Sequence, residues 1–488
     1  MKTDRRRFVQ AAPAISLIPR HVLGGQAAQP APSGRIHIAL VGCGTEAVRE
    51  LPQFIRNPKF RFTAVCDPCR PAAGYRDWSA NGLLMGIRKL LEQPDWGAGF
   101  DSVIPAGLDV TKSVIESYYK APGAVRAYTD FRELLDRESD LQAVWIMTPD
   151  HHHGWMSLRA MARRLHVMMH KPIANRLTEA KAVIDAAKKT GVATHFLAWN
   201  TGNGIAQVKQ WIDSGAIGTL REIHNWTNRP VWPQYAELPQ DAAPVPRGFD
   251  WNLWLGPEKE RPYHPCYTHM VFRGWYDFGG GTLADMGIYA LWSVFRALNL
   301  GAPDLIEPLR SHQCRFDGNS ATRIQNDFSF PSASVTRIRF PKTAERPAVD
   351  LFWYDGGMKP FPPEETGLDE FPAEAMMFRG DKGVIVSGFR VEKPVLYVAG
   401  RKPQEAAQQP QRPDVSELFA EACSGGRPSP GAFTEAWGIS ETVCLWGAAL
   451  RAGRRLKYDA AAGRFTNDEK ANEYLTRTCR AGWELPQI

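Results

Sequence analysis

The chain has little that would place it in a membrane or on nucleic acid. It contains no run of about 18 uninterrupted apolar residues, so no segment reads as a permanent membrane-spanning helix. Charge of one sign is also scarce: lysine and arginine exceed aspartate and glutamate by only 7 over 488 residues. Lys2, Arg5, Arg6, Arg7 and Arg20 against Asp4 put +4 of that excess in residues 1–28. The +3 left for the remainder is too weak for a nucleic-acid surface, and that partner class is excluded. Cysteines number eight (43, 66, 69, 266, 314, 423, 444, 479) and do not fall into a disulfide framework. Cys66-Asp-Pro-Cys69 is the single C-x-x-C, with no second pair to complete a zinc site, so no metal is expected. Internal repeats are absent as well, which removes solenoids and propellers. What is present is ordinary for a globular chain: 44% hydrophobic residues, 23% charged and a mean hydropathy of −0.34.

The first 28 residues read as an address. Asp4-Arg-Arg-Arg-Phe-Val-Gln10 is followed by a short apolar stretch and by small residues at Gly24, Gly25, Ala27 and Ala28. This is the pattern of a twin-arginine export signal, and it predicts a soluble mature protein in the periplasm.

Between about residues 35 and 200 the chain alternates strand and helix. Ile36–Val41 is a short apolar run suited to a buried parallel strand, and Phe60–Cys66 is a second. Further strands are expected at Leu141–Met147, His166–Met169 and Ala193–Ala198, with helices at Phe131–Arg137, Trp155–Arg164 and Thr178–Thr190. The alternation predicts a Rossmann-type, doubly wound parallel sheet over 35–200, with an insertion near 71–110. After residue 200, strand-like runs at Leu220–Trp226, Ser334–Phe340, Val349–Tyr354 and Gly383–Ser387 are broken by proline-rich stretches. A helical pattern then covers Val415–Gly453. Residues 201–488 are therefore expected to form an α+β domain with a mostly antiparallel open sheet, giving an α/β protein overall.

Three constellations carry chemistry. Gly42-Cys43-Gly44-Thr-Glu-Ala47 is a G-x-G-x-x-A between a strand and a helix, tight enough to bring backbone amides onto a pyrophosphate. Asp67 ends the next strand 25 residues after Gly42, placed to accept bonds from the adenosine ribose hydroxyls; it favours NAD, while Arg70 leaves NADP open. The second is Thr148-Pro149-Asp-His-His-His153, with His170-Lys171-Pro172 downstream, both following strands and hence at the ligand-binding edge of the sheet. Thr148, Pro149, His153 and Lys171 are thus cofactor-side candidates; the three histidines point in different directions and suit a metal badly, and a histidine-rich surface loop is the plain alternative. The third is Gly279-Gly-Gly-Thr-Leu-Ala-Asp285-Met-Gly-Ile-Tyr289. If it is helical from Thr282, Asp285 and Tyr289 share one face, where a carboxylate and a phenol beside a lysine can hold a substrate hydroxyl and move its proton. Six tryptophans fall in 226–292, and His264, His269, Arg273, Trp275 and Tyr276 add stacking faces and polar edges suited to a sugar.

Together these motifs resemble the Gfo/Idh/MocA oxidoreductases. The resemblance includes Val41-Gly-Cys-Gly44, Tyr128-Thr-Asp-Phe-Arg-Glu-Leu-Leu135, Lys171-Pro172, Trp251-Asn-Leu-Trp-Leu-Gly-Pro257, Asp285-Met-Gly287 and Gly380-Asp-Lys-Gly383, through nearly the whole mature chain. It implies a nicotinamide cofactor in the first domain and a second domain whose open sheet often forms a homo-oligomer interface. It also implies catalytic roles for Lys171 and Asp285, with Tyr289 at the remaining position. Two departures stand out: His170 replaces the family's usual Glu, and Tyr289 replaces its usual His.

Export sharpens the expectation. A twin-arginine substrate crosses the membrane folded, so it carries its cofactor out to a compartment with no obvious nicotinamide pool. A carbohydrate- or polyol-directed oxidoreductase with tightly held, internally recycled NAD(P) fits this best. The alternatives are redox-neutral glycoside cleavage by oxidation, elimination and reduction, or a sugar-binding member without turnover.

Overall fold

The computed structural model describes residues 34–71, 75, 81–100, 104–199, 204–406 and 412–488. The expected export signal at 1–28 lies outside the described residues.

Two sheets organise the molecule. The first has six strands, β1 (Ile36–Val41), β2 (Phe60–Cys66), β3 (Arg126–Tyr128), β4 (Ala143–Ile146), β5 (His166–Met169) and β6 (Thr194–Phe196), in the order 3-2-1-4-5-6. Every pairing is parallel, as a doubly wound sheet requires. The apolar runs explain the burial: β4 is buried throughout, and the helix Thr45–Ile55 lays Ala47, Val48, Leu51, Phe54 and Ile55 against the sheet. Phe54 sits 4.6 Å from Trp145 there.

The second sheet has ten strands and one parallel pairing, Leu220–Trp226 beside Val349–Asp355; the rest are antiparallel. Ser334–Phe340 and Val349–Asp355 alternate buried and half-exposed side chains, so one face is packed and the other is open. The packed face shares its apolar core with the helices Ile288–Leu298 and Trp437–Ala452, through Leu291, Trp292 and Trp446. On the open face Arg337 bridges Asp350 at 2.8 Å and Glu307 at 2.9 Å.

The expected elements differ from the observed ones at three informative places. β3 has only three residues, too few to show a period of its own. The helix expected from Trp155 starts at Asp150, so His151, His152 and His153 lie in its buried first turn rather than in a surface loop. The segment expected to be helical from Val415 to Gly453 forms two helices, and the first, Val415–Cys423, packs Phe419 on Phe60 at the first sheet.

The last stretch of chain returns to the junction of the sheets. Arg477 donates to Glu179 at 2.6 and 2.7 Å, to Glu258 at 2.6 Å and to Asn175 at 2.9 Å, all within the interior. Six residues on, the Trp483 ring stacks 4.7 Å from Trp155. All eight cysteines are free thiols. No helix among the described residues is long and apolar enough to cross a membrane.

Candidate active site

A cleft of about 760 Å³ opens between the carboxyl edge of the parallel sheet and the second domain. At one end lies the turn after β1. Gly42 has φ of +90°, and a Cβ there would meet the Met147 carbonyl carbon at 2.6 Å and the Thr148 nitrogen at 2.8 Å. Only glycine fits, because both the left-handed backbone and the close approach of β4 forbid a side chain. Gly42→Ala is expected to cost about 2–4 kcal/mol of stability and to weaken NAD binding at least about tenfold; thermal melts and nucleotide titration would check both.

The helix that follows has no side-chain cap on its first amides, and Gly44, Thr45, Glu46 and Ala47 all line the cleft. Uncapped N–H groups at a helix start, above a glycine cradle, suit a pyrophosphate. Asp67 closes β2 beside them. Its Oδ2 accepts the Cys43 N–H at 2.6 Å and its Oδ1 the Cys69 N–H at 2.7 Å, which fixes the carboxylate while leaving lone pairs for ribose hydroxyls. Burial pushes this carboxyl up to about 6 against the pull of those two amides. The donors and acceptors present thus fit a dinucleotide.

The chemical end of the cleft is built from the loop after β5 and from a π-helical turn, Leu283–Gly287, that leads into the helix Ile288–Leu298. Lys171 is 4% exposed, and its Nζ donates to Asp285 Oδ1 at 2.5 Å. The same oxygen lies 3.2 Å from Arg273 Nε, while Arg273 Nη1 reaches Asp150 Oδ1 at 3.0 Å. Asp150 also accepts the Gly280 N–H at 2.9 Å, which ties the glycine stretch to the helix below it. One residue before Lys171, His170 Nε2 lies 2.5 Å from the Tyr289 hydroxyl. Lys171 Nζ stands 5.3 Å from the centre of the Tyr289 ring, and Arg390 covers that ring at 4.4 Å.

Charge in this pocket is sharply sorted. Burial would raise the Asp285 carboxyl, but Lys171 and Arg273 outweigh it and hold it below the usual carboxylate range. Burial and the neighbouring Arg273 lower the Lys171 ammonium, against the pull of Asp285. His170 is pushed well below the ordinary histidine value by burial and by Lys171, so its ring is neutral. Tyr289 moves the other way: burial, Glu46 and Asp285 raise it well above 10, and it is a neutral phenol at neutral pH.

The cleft gathers Gly42, Gly44, Asp67, Thr148, Pro149, Lys171, Arg273, Asp285 and Tyr289. Five other candidates stand away from it. Cys43 is fully buried, and its backbone N–H is committed to Asp67. His153 is enclosed between the carbonyls of Pro172, 2.6 Å from Nδ1, and Thr148, 2.8 Å from Nε2, so it braces the two loops from behind. His264 Nδ1 accepts the Cys266 N–H and caps a short turn. Trp275 is buried against Tyr235 at 4.3 Å and donates to the Cys266 carbonyl at 2.8 Å. Tyr276 is buried against Phe330 at 4.1 Å. These rings build an aromatic core, and of the six tryptophans in 226–292 only Trp254 reaches the cleft. Sequence reasoning gave no role to Tyr75, Arg229 or Arg390, which line it from distant segments with no motif of their own; Trp483, from the family-like stretch Gly482-Trp-Glu-Leu485, lines it too. Among the described residues no group of three or more His, Cys, Asp or Glu is placed to hold a metal ion.

Comparison with known proteins agrees with this architecture. Residues 106–197 match the oxidoreductase family's NAD-binding Rossmann fold, and residues 201–302 match its C-terminal alpha/beta domain. Levoglucosan dehydrogenase of Pseudarthrobacter phenanthrenivorans is 30% identical over 118 residues, which is 23% of this chain and 30% of that one. The chain therefore spans under a third of that relative. D-xylose 1-dehydrogenase (NADP(+)) 2 of Haloferax volcanii is 24% identical over 269 residues, 50% of this chain and 70% of the other. In three dimensions the WlbA dehydrogenase from Bordetella pertussis, solved with NADH and UDP-GlcNAcA, covers 87% of this chain and 99% of its own at TM-score 0.53 and 13% identity, a likeness of fold. Over those two segments the chain is similar to the Gfo/Idh/MocA oxidoreductases, an NAD-binding Rossmann domain followed by a C-terminal alpha/beta domain.

Proposed function

We propose that this protein is an NAD-dependent oxidoreductase of carbohydrates or polyols that holds its cofactor tightly and recycles it within one site. The observation that carries the reading is the buried Lys171–Asp285 pair at 2.5 Å, on the wall of the same cleft into which Gly42 and Asp67 open. The sugar dehydrogenases among the relatives support the substrate class. Arg70, the cation that would suit the phosphorylated form, is paired with Asp109 at 2.8 Å and does not line the cleft, which supports NAD.

Bound NAD supplies a hydride acceptor; the remaining work falls to the chain. The Lys171 ammonium polarises the reacting hydroxyl or carbonyl oxygen, a buried charge fixed before the reaction begins. Asp285, braced by Arg273, holds that ammonium in place and orients the substrate. Tyr289 contacts the same oxygen and takes part in moving its proton. We read residues 1–28 as the export signal that delivers the folded, loaded protein to the periplasm.

Two measurements test the reading. Denaturing the purified protein and weighing the released nucleotide should give about one NAD(H) per chain. Incubation with D-glucose, D-xylose, levoglucosan and methyl glucosides should change the nucleotide absorbance. An empty protein that also ignores every sugar would refute it. Cleavage of a glycoside with no net change in absorbance would instead select the redox-neutral route.

A further inference from the structure

The two positions where this chain departs from its family's pattern, His170 and Tyr289, face each other across 2.5 Å. We propose that they form one proton-transfer unit in which Tyr289 meets the substrate hydroxyl and His170 stores its proton. This rests on the reading of the cleft as a hydride-transfer site.

Tyr289 lines the cleft, whereas its hydroxyl is held at His170 Nε2. A phenol is too weak an acid to serve as a base in its ionised form here. Burial, Glu46, Asp285 and Glu50 oppose its ionisation and outweigh Arg390, which favours it. Such a group can still accept a proton if it passes its own onward in the same event. His170 is the acceptor within reach. Lys171 and Arg273, and His153 behind them, all disfavour a charge on its ring, which keeps an Nε2 lone pair available. In this unit the neutral ring carries its proton on Nδ1, the Tyr289 O–H donates to Nε2, and the phenolic oxygen meets the substrate in the cleft.

Oxidation then balances as follows. The substrate C–H bond breaks and its hydride leaves to the nicotinamide. The substrate O–H bond breaks and its proton passes to the Tyr289 oxygen, while the proton Tyr289 carried moves to His170 Nε2. The products are a carbonyl, the reduced nucleotide and an imidazolium beside two cations. That imidazolium is high in energy and returns its proton readily, which suits a cycle that ends in reduction.

The resting pair can be tested without any sugar. Nitrogen NMR of the ligand-free protein with labelled histidine should find His170 Nε2 unprotonated and accepting a bond at neutral pH, with its signal displaced by Tyr289→Phe. An Nε2 that carries the proton, or a signal indifferent to Tyr289→Phe, overturns the proposal. With a sugar that reduces NAD, His170→Gln keeps an acceptor for the phenol but cannot take a proton. It should lower turnover at least about 10²-fold with KM within a few-fold of wild type, and flatten the acidic limb of the pH profile. Wild-type turnover and pH profile in that variant would also overturn it. Should His170→Gln not fold, Tyr289→Phe carries both arms. If no sugar reacts at all, the functional reading fails by itself and the ring signals still decide the pair.

Discussion

Lys171→Met should lower sugar oxidation about 10²- to 10³-fold while leaving the affinity for NAD within a few-fold. The size follows from losing one buried, preorganised positive charge at the reacting oxygen, typically worth about 3–4 kcal/mol of barrier. Methionine fills nearly the same volume, so the cavity term is small. Removing one member of a buried ion pair usually costs about 3–5 kcal/mol of stability because the partner is left uncompensated. Here Asp285 keeps Arg273 Nε at 3.2 Å, so the loss should fall below that range and the variant should fold. Nucleotide titration and single-turnover absorbance separate the two effects. Turnover within tenfold of wild type would remove Lys171 from the chemistry.

A second large effect is expected from acid. Burial pushes His151, His152, His153, His170 and His195 below the ordinary value of 6.5, with His152 and His195 at about 3. In the unfolded chain these rings take up protons near 6.5, so below that pH the unfolded state binds protons that the folded state refuses. Each such histidine removes about 1.4 kcal/mol of stability per pH unit as the pH falls. Five buried acids act oppositely, Glu50 and Glu258 among them, both raised by burial. Asp67 and Asp355 are raised to about 6 and Glu441 to about 7, so they stabilise the fold as the pH drops from about 7 toward 4. With His166 also lowered by burial, six histidines outweigh five acids, and the melting temperature should fall from pH 6.5 downward. Calorimetry between pH 7.5 and 4.5 would show it. A flat or rising melting temperature across that interval would mean that the buried rings are charged in the folded state.

Much of the first domain was legible because a parallel strand buried on both faces must be apolar. Ile36–Val41, Phe60–Cys66 and His166–Met169 were bounded correctly on that ground alone. The turn at Gly42 was legible for a different reason, since no other residue satisfies its backbone. The helix of three histidines was misjudged, although Pro149 followed by Asp150 is a start signal: a rigid residue, then an acid in the first turn. Its buried rings satisfy backbone carbonyls, a fate the sequence does not announce. The substrate-side candidates His264, Trp275 and Tyr276 scattered because an aromatic-rich stretch looks the same whether its rings face a sugar or each other. The facing of His170 and Tyr289 was hidden too, for 119 residues separate them and only the π-helical turn brings them together.

The return of the final residues to the junction carries a consequence for biogenesis. Arg477 neutralises Glu179 and Glu258, and Trp483 supplies part of the cleft wall. Until this segment docks, the cleft lacks that part of its wall and, among the described residues, Glu258 keeps only its ion pair with Arg176, at 3.6 Å. The cleft wall is thus finished only when this segment docks against residues such as Glu179, laid down 298 positions before Arg477.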